Sequence, residues 1–338
     1  MINVKSRYYY TRLDSESRRI YDSILAAWVN RDREPSFTIN PFGASIDVQS
    51  IIKFIHWDNP GLFYVDFSNL LITGSFSKTT VKSEFIFSDR QIDDAERYMS
   101  QSIREMLSAA PLSGHAIMNA YHKEIALHDK LAEKISYEHR GITKTSTTIV
   151  GGLLQNKAVC EGYAKTFRLL CDQVGLSCIF LAGKAKPHDK PIENHSWNIV
   201  KLNGVCAHVD ITWDSTMRVA GGGPCYDHFN ITDDDISRDH VWDRMLTPRC
   251  ASSANSYFEK KGCIVRSDAE FHDYFNRQAA AGSRNFSIKI AYGEYDQNRI
   301  MRMIQKILSS NSSPGLSRYE TMSLRYNPTR KIAEVIFA

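Results

Sequence analysis

Apolar positions recur at helical spacing near the start of the chain. Ile20, Ile24, Leu25 and Trp28 follow Asp14 and Ser15, either of which suits a helix N-cap. "SFTI" then reads as a short strand and Asn40-Pro41-Phe42-Gly43 as a turn, and Val48, Ile51, Ile52 and Ile55 mark a second helix. "DNPGLFYV" (Asp58 to Val65) reads as a turn feeding a strand, and "VKSEFIFS" (Val81 to Ser88) alternates as another strand. Two longer helices follow. One starts after Ser88, with Asp89 or Asp93 near its N-terminus, and runs towards Met106. The other runs from about Ser113 to Tyr137, with Met118, Tyr121, Ile125, His128, Ala132 and Ile135 on one stripe. A stripe of this kind is core, which makes His128 a hydrogen-bonded interior histidine.

After a polar loop, GITKTSTTIVGG, the pattern changes. A helix beginning near Ala158 carries Cys160, Ala164, Phe167, Cys171 and Val174 on one face, and Gly175 suits its C-terminal cap. Three strand-like runs come next: SCIFLAG, HSWNIVKL and VCAHVDITW. Asn203-Gly204 joins the last two and is a strong hairpin signal. Helix, strand, then hairpin describes an α+β core, a helix packed on an antiparallel sheet. It does not describe a doubly wound fold. The segment Ser215 to Ser256 reads as loop-rich, broken most clearly at Gly221-Gly222-Gly223-Pro224. From Ile264 onward a small α+β unit is expected: FSIKIAY as a strand, Asp296 to Leu308 as a helix, and SRYETMSLRY with RKIAEVIFA as a second hairpin. The expected organisation is therefore an α/β extension over 1–112, a core over 113–263 and a C-terminal unit over 264–338, without internal repeats.

Composition narrows the class. With 43% hydrophobic and 24% charged residues in 338, the chain has the make-up of a globular protein with sizeable cores. No apolar run approaches the ~18 residues of a membrane span, and MINVKSRYYYTRLDS has no signal-peptide core. The seven cysteines include no Cys-x-x-Cys pair, so a disulfide framework is not expected. An Asn194-His195-Ser196 sequon inside the candidate site argues against a glycosylating route. A reducing, cytoplasmic location is the expectation. The net charge of +4 is dispersed, with its excess in the tail from Ile264, and no run of like charges points to nucleic acid.

The chemistry centres on one thiol. A cysteine of ordinary pKa near ~8.5 is mostly protonated at neutral pH, and a helix N-terminus and a neighbouring imidazole both favour its thiolate. Cys160 sits in the first turn of its expected helix. His195 begins one strand of the hairpin and Asp210 ends the next. With the turn centred between 203 and 204, His195 faces position 212. Asp210 then lies two residues away on the same side of the sheet, where it can hold the imidazole. That is a nucleophile, a base and an orienting carboxylate. Each has a plainer reading: a buried thiol, a strand histidine, a turn aspartate. Glu161 would repel a thiolate if it pointed inward, so it is expected to face away.

"AVCEGYAKTFRLLCDQVGLSC", "NHSWNIVKLNG" and "HVDITWD" together resemble bacterial members of the transglutaminase-like superfamily. The likeness reaches back to "KEIALHDKLAEKISYE" and forward to "YDHFNITDDDISRDHVW", about Gly114 to Phe258 in all. "DNPGLFYV" is similar to the extension found beside such domains. The resemblance implies a papain-like fold with Cys160 as acyl-accepting nucleophile, His195 as general base and acid, and Asp210 as its orienter. It further implies an oxyanion hole made by the Cys160 backbone N–H and an upstream donor. Gln155, five residues earlier, is the candidate. Trp197 and Trp213 flank the hairpin and are expected as cleft walls, with Asn198 and Asp214 as turn and network residues. Amide chemistry on a protein or peptide substrate is implied, with hydrolysis ahead of acyl transfer. A scaffold that keeps the fold without turnover is the alternative. Cys206-x-His208, His188, His195, His228 and His240 offer soft ligands, but not at zinc-site spacing, so no metal and no cofactor is expected. Asp233-Asp234-Asp235 reads as a helix start, not a calcium loop.

Overall fold

In a computed structural model of the chain, residues 5–39, 46–74, 78–109, 119–187, 191–217, 225–309 and 321–337 are described. The turn expected at Asn40–Gly43, Met118 of the helical stripe, His188 and the Gly221–Pro224 breaker lie outside them.

Helix α1 (Ser15–Val29) begins where the Asp14 carboxylate accepts the Ser17 N–H at 2.8 Å, and it buries Ile20, Ile24, Leu25 and Trp28. β1 (Ser36–Thr38) is followed by α2 (Val48–Asp58), which Asp47 caps in the same way. β2 (Val65–Gly74) and β3 (Lys78–Phe85) complete a sheet in the order β1-β3-β2, and α3 (Asp89–Ala109) follows. This extension shares its core with the segment that follows: Ile24, Trp28, Ile55 and Met99 belong to one buried cluster with Leu131, Phe167 and Val200.

Helix α4 (Ala120–Lys134) is shorter than expected. Ile135 is already extended, and β4 (Ser136–Tyr137) pairs in parallel with β5 (Lys157–Ala158). Its buried stripe is Glu124, Leu127, His128, Leu131 and Ala132, while Tyr121 and Ile125 are only half-buried. The stripe is turned because Asn230 donates to Glu124 at 2.6 Å, which makes a buried carboxyl tolerable at a position that hydropathy assigns to the surface. The expected polar loop is likewise shorter, since Gly151–Gln155 form a helical turn.

Helix α5 (Cys160–Gln173) ends just before Gly175, whose φ of 78° suits a residue without a Cβ. β6 (Ser177–Ala185), β7 (Glu193–Leu202) and β8 (Val205–Val209) follow, and Asn203 and Gly204 turn the hairpin with φ of 49° and 86°, both positive as a type I′ turn requires. The third expected strand stops early: Ile211–Thr216 form a short helix, α6. The segment read as loop supplies β9 (Phe229–Ile231), α7 (Asp233–Ile236), β10 (His240–Val241) and α8 (Tyr257–Lys261). β9 and β10 close the two edges of an antiparallel sheet, β10-β6-β7-β8-β9, against which α5 packs through β6 and β7. Edge strands this short carry no readable alternation.

In the C-terminal unit, β11 (Ile264–Val265), α9 (Asp268–Ala280), β12 (Asn285–Ile290), α10 (Gln297–Ser309), β13 (Met322–Asn327) and β14 (Ile332–Phe337) form a sheet in the order β11-β12-β14-β13 with two helices. It has its own core around Phe258, Phe271, Phe275, Ile288 and Val335. Polar side chains tie it to the central sheet. Arg325 grips Asp227 with two bonds, 2.7 and 2.9 Å, and Arg330 reaches Asp239 at 2.6 Å. No described helix is long and apolar enough to cross a membrane.

Candidate active site

Cys160 is the first residue of α5 and is partly exposed; no side chain caps this helix, so its first N–H groups are not taken by one. The preceding loop presses on this turn. A Cβ at Gly162 would lie 2.4 Å from the Ser146 carbonyl oxygen, so only glycine fits there. Glu161 points away from the thiol, accepting from Lys165 at 2.7 Å beside His56 at 3.0 Å.

The hairpin register has the partner sum the turn demands, with Asn198 opposite Val209, but β8 ends there. No β8 residue stands opposite His195, whose strand partner is Gly183 of β6. Asp210 meets the imidazole by a different route, as the N-cap of α6. Its Oδ1 accepts the Trp213 N–H at 3.2 Å, and Oδ2 turns back to His195 Nε2 at 2.7 Å. That leaves Nδ1 as the ring nitrogen for the thiol. Asp210 is fully buried and His195 is 5% exposed. Burial pulls the imidazole pKa down, but the Asp210 carboxylate, with a smaller contribution from Cys160 beside the ring, pushes it up to about 10. Asp210 is held far below the ordinary carboxylate range, because His195 and His240 together outweigh its burial.

The other expected site residues are placed differently. Gln155 is exposed at the end of its helical turn, its amide oxygen accepts from Thr145 Oγ1 at 2.9 Å, and it makes no hydrogen bond to the three residues above. Trp197 is no cleft wall: it is 1% exposed, stacked near His195, with its indole N–H donated to His208 Nδ1 at 3.0 Å. Trp213 packs against His195 with ring centroids 5.7 Å apart, and it also lines a cavity of about 820 Å³ between the central sheet and the C-terminal unit. Asn198 donates to the carbonyls of Ala164 and Ile179, tying α5 to β6. Tyr137 was hidden in the overlong helix. It lies in electrostatic reach of Cys160: burial first, then Cys160, Glu193 and Asp210, pushes its phenol up to about 12.

Residues 113–213 match the family model of the transglutaminase-like superfamily. The segment is a transglutaminase-like domain. Among solved structures, a candidate cysteine protease from Cytophaga hutchinsonii is 13% identical, with a TM-score of 0.29 over 40% of this chain and 52% of that one. A protein described as a TGase is 10% identical, with a TM-score of 0.29 over 51% and 49%. Menin, described with its binding site for Mixed Lineage Leukemia protein, is 11% identical, with a TM-score of 0.28 over 69% and 54%. The chain thus spans about half the length of these structures. No curated protein matches it.

Behind Cys160 and His195 the central sheet holds a buried imidazole–carboxylate network that no sequence motif announced, much of it beyond the matched segment. His240 Nε2 approaches Asp210 Oδ2 at 3.2 Å, and its Nδ1 approaches Asp239 Oδ1 at 2.6 Å. Asp214 Oδ1 lies 3.4 Å from His228 Nδ1, and His128 bridges Asp214 at 3.1 Å and Asp129 at 3.0 Å. Among the described residues, two side-chain groups are tight enough to consider for a metal: His195, Asp210 and His240, and His208, Asp233 and Cys250. In the second, His208 Nδ1 accepts the Trp197 N–H, so Nε2 carries the ring's proton and donates it to Asp233 at 2.9 Å. In the first, both imidazoles reach the same carboxylate oxygen, which satisfies all three groups by hydrogen bonds.

This network fixes the sign of the domain's pH response. His128 and His228 stand near 9 and His195 near 10, in each case because carboxylates overcome burial; burial alone raises Glu124 to about 8. All four bind protons more tightly folded than unfolded, so stability falls as pH rises. The histidine contribution is complete below the ordinary value of 6.5 and is lost as pH climbs towards 9 or 10; that of Glu124 is lost from 4.5 to about 8. Asp210, Asp239 and Glu161, held low by their partners, act oppositely and lose their contribution in acid. The melting temperature is expected to peak at about pH 5–6 and to fall steadily towards pH 9. A melting temperature that rises from pH 6 to 9 in scanning fluorimetry would contradict this account.

Proposed function

We propose that the protein is a cysteine-dependent enzyme that cleaves or transfers amide bonds through a Cys160 thioester. The observation that carries the reading is the meeting of His195 Nε2 with Asp210 Oδ2 at 2.7 Å, beside a thiol that opens a helix. The sulfur attacks the amide carbonyl carbon, and the oxyanion is received by backbone N–H groups of the first turn of α5, that of Cys160 among them. As the C–N bond breaks, His195 gives its Nδ1 proton to the departing ammonia or amine. Water, or a second amine, then loses a proton to His195 and attacks the thioester carbonyl, which releases product and restores the thiol. We take hydrolysis ahead of acyl transfer. The cavity walled by Trp213, Met217, Tyr295, Tyr326 and Pro328, with Lys186 at its rim, offers room for part of a protein or peptide chain on the far side of Trp213, whose ring packs against His195.

The test is alkylation of the native protein by iodoacetamide, with each cysteine followed by peptide mapping. Cys160 is expected to react at least about tenfold faster than the other six near neutral pH, and His195→Ala to remove that advantage. A Cys160 no faster than Cys206, which is also partly exposed, would sink the proposal. Ammonia release from glutamine peptides, with and without an added primary amine, then separates hydrolysis from transfer.

A further inference from the structure

Asp210 serves two imidazoles, not one. His240 stands on β10, which pairs with the far edge of β6, so that His240 lies opposite Ala185, 30 positions after Asp210 in the chain. Its side chain is fully buried, with ring centroids 5.3 Å from His195, 4.9 Å from Trp197 and 4.5 Å from Trp213. Both its nitrogens face carboxylates, Asp210 Oδ2 at 3.2 Å and Asp239 Oδ1 at 2.6 Å. The same Asp239 oxygen accepts Arg330 Nη2 at 2.6 Å. Arg330 comes from the β13–β14 turn of the C-terminal unit; it is 3% exposed, and its other terminal nitrogen donates to the Asp235 carbonyl. His228, 5.8 Å from His240 ring to ring and 3.8 Å from Asp239, is the remaining ionisable neighbour on that side, and His208 feels His240 more weakly from β8.

From the partly exposed Cys160 thiol, largely buried side chains therefore run in one line to the C-terminal unit: His195, Asp210, His240, Asp239, Arg330. Beyond the thiol, cationic or cation-capable groups alternate with carboxylates. A line of this kind passes influence by competition. Whatever His240 takes from Asp210 Oδ2 is withheld from His195, and whatever Arg330 takes from Asp239 frees His240 for Asp210.

We propose that His240 is a second imidazole of the active centre, one that shares Asp210 with His195 and so limits how firmly the catalytic proton is held, and that Arg330 sets this sharing from the C-terminal unit. The proposal rests on the thiol chemistry above. His240 and Arg330 are positioning residues, and neither is placed to touch substrate. The C-terminal unit thereby acquires a role: its docking through Arg330 is read at the nucleophile.

The experiment is the pH profile of Cys160 alkylation by iodoacetamide in the wild-type protein, His240→Gln, Arg330→Gln and the double variant, with melting curves in parallel. In His240→Gln, Asp210 serves His195 alone, the imidazolium is held more firmly, and the profile moves to lower pH by on the order of one unit. In Arg330→Gln, Asp239 draws His240 more strongly and away from Asp210, more of the carboxylate is left to His195, and the profile moves the same way as in His240→Gln but by less. The double variant is expected to match His240→Gln, because Arg330 acts only through His240. Arg330→Lys, which keeps the charge, should restore the wild-type profile even if the Gln variant folds poorly. A purely structural role would lower melting temperatures and leave the profiles superimposed, and that result overturns the proposal. So does an Arg330→Gln shift that persists unchanged without His240. If wild-type Cys160 is no more reactive than the other cysteines, the functional reading fails and this one falls with it. If wild-type Cys160 is selective but the variants match it, only the sharing of Asp210 fails.

Discussion

Asp210→Asn is expected to reduce turnover by about 10³–10⁴-fold while leaving the protein folded. The carboxylate does three things at once. Its Oδ1 caps α6 through the Trp213 N–H, and its Oδ2 receives both His195 and His240. An amide oxygen can still cap the helix, which is why the fold should survive. It cannot supply the negative charge that, against burial, carries His195 to about 10. Nor does a neutral amide present an acceptor to two imidazole N–H groups as well as to the helix, so one ring must turn or switch tautomer. A His195 that carries its proton on Nδ1 alone cannot accept from the thiol. The check is kcat on any amide substrate found by ammonia release, together with far-UV and near-UV circular dichroism. Retention of more than about a tenth of wild-type turnover would show that Asp210 is structural.

Phe167→Ala has the largest expected effect on stability. Phe167 is 0% exposed on the face of α5 that enters the main core, two turns beyond Cys160. Its truncation removes an aromatic side chain from a site walled by the sheet, α4 and α6, where little can collapse into the space, and the expected cost is about 3–5 kcal/mol. The melting temperature should fall by on the order of 10 °C. Because the same helix carries Cys160 at its first position, Cys160 alkylation should also lose part of its selectivity at temperatures well below the transition. A drop of less than a couple of degrees would mean that α5 is not anchored through this face.

How legible the site was depends on the range over which each feature is encoded. The helix that opens on Cys160 was readable because Cys160, Ala164, Phe167 and Cys171 recur at helical spacing and Gly175 stops it. The hairpin was readable because Asn203 and Gly204 adopt the two positive φ values that those residue types tolerate best, and its register followed from counting. The same counting misplaced Asp210 on a strand. Asp210-Ile211-Thr212-Trp213 continues an apolar alternation, yet the aspartate side chain caps a helix instead, and two short-range signals competed over four residues. Gln155 is a related case: its amide oxygen accepts from Thr145, and sequence distance from Cys160 says nothing about side-chain direction once a helical turn intervenes.

The sequence by itself determined the order of chemistry-bearing residues, the helix that presents the Cys160 thiol and the hairpin that carries His195. These depend on periods of 3.6 and 2 residues and on a two-residue turn, all local. Only the tertiary structure decided that Asp210 meets His195 by capping a helix and that β10, two residues long, carries His240 to the same carboxylate. The insertion of Arg330 behind them was decided at the same level. Such placements depend on which buried carboxylate needs a partner and on which sheet edge stands open. Both are settled by desolvation and hydrogen bonding between segments distant in the chain, which no local pattern records.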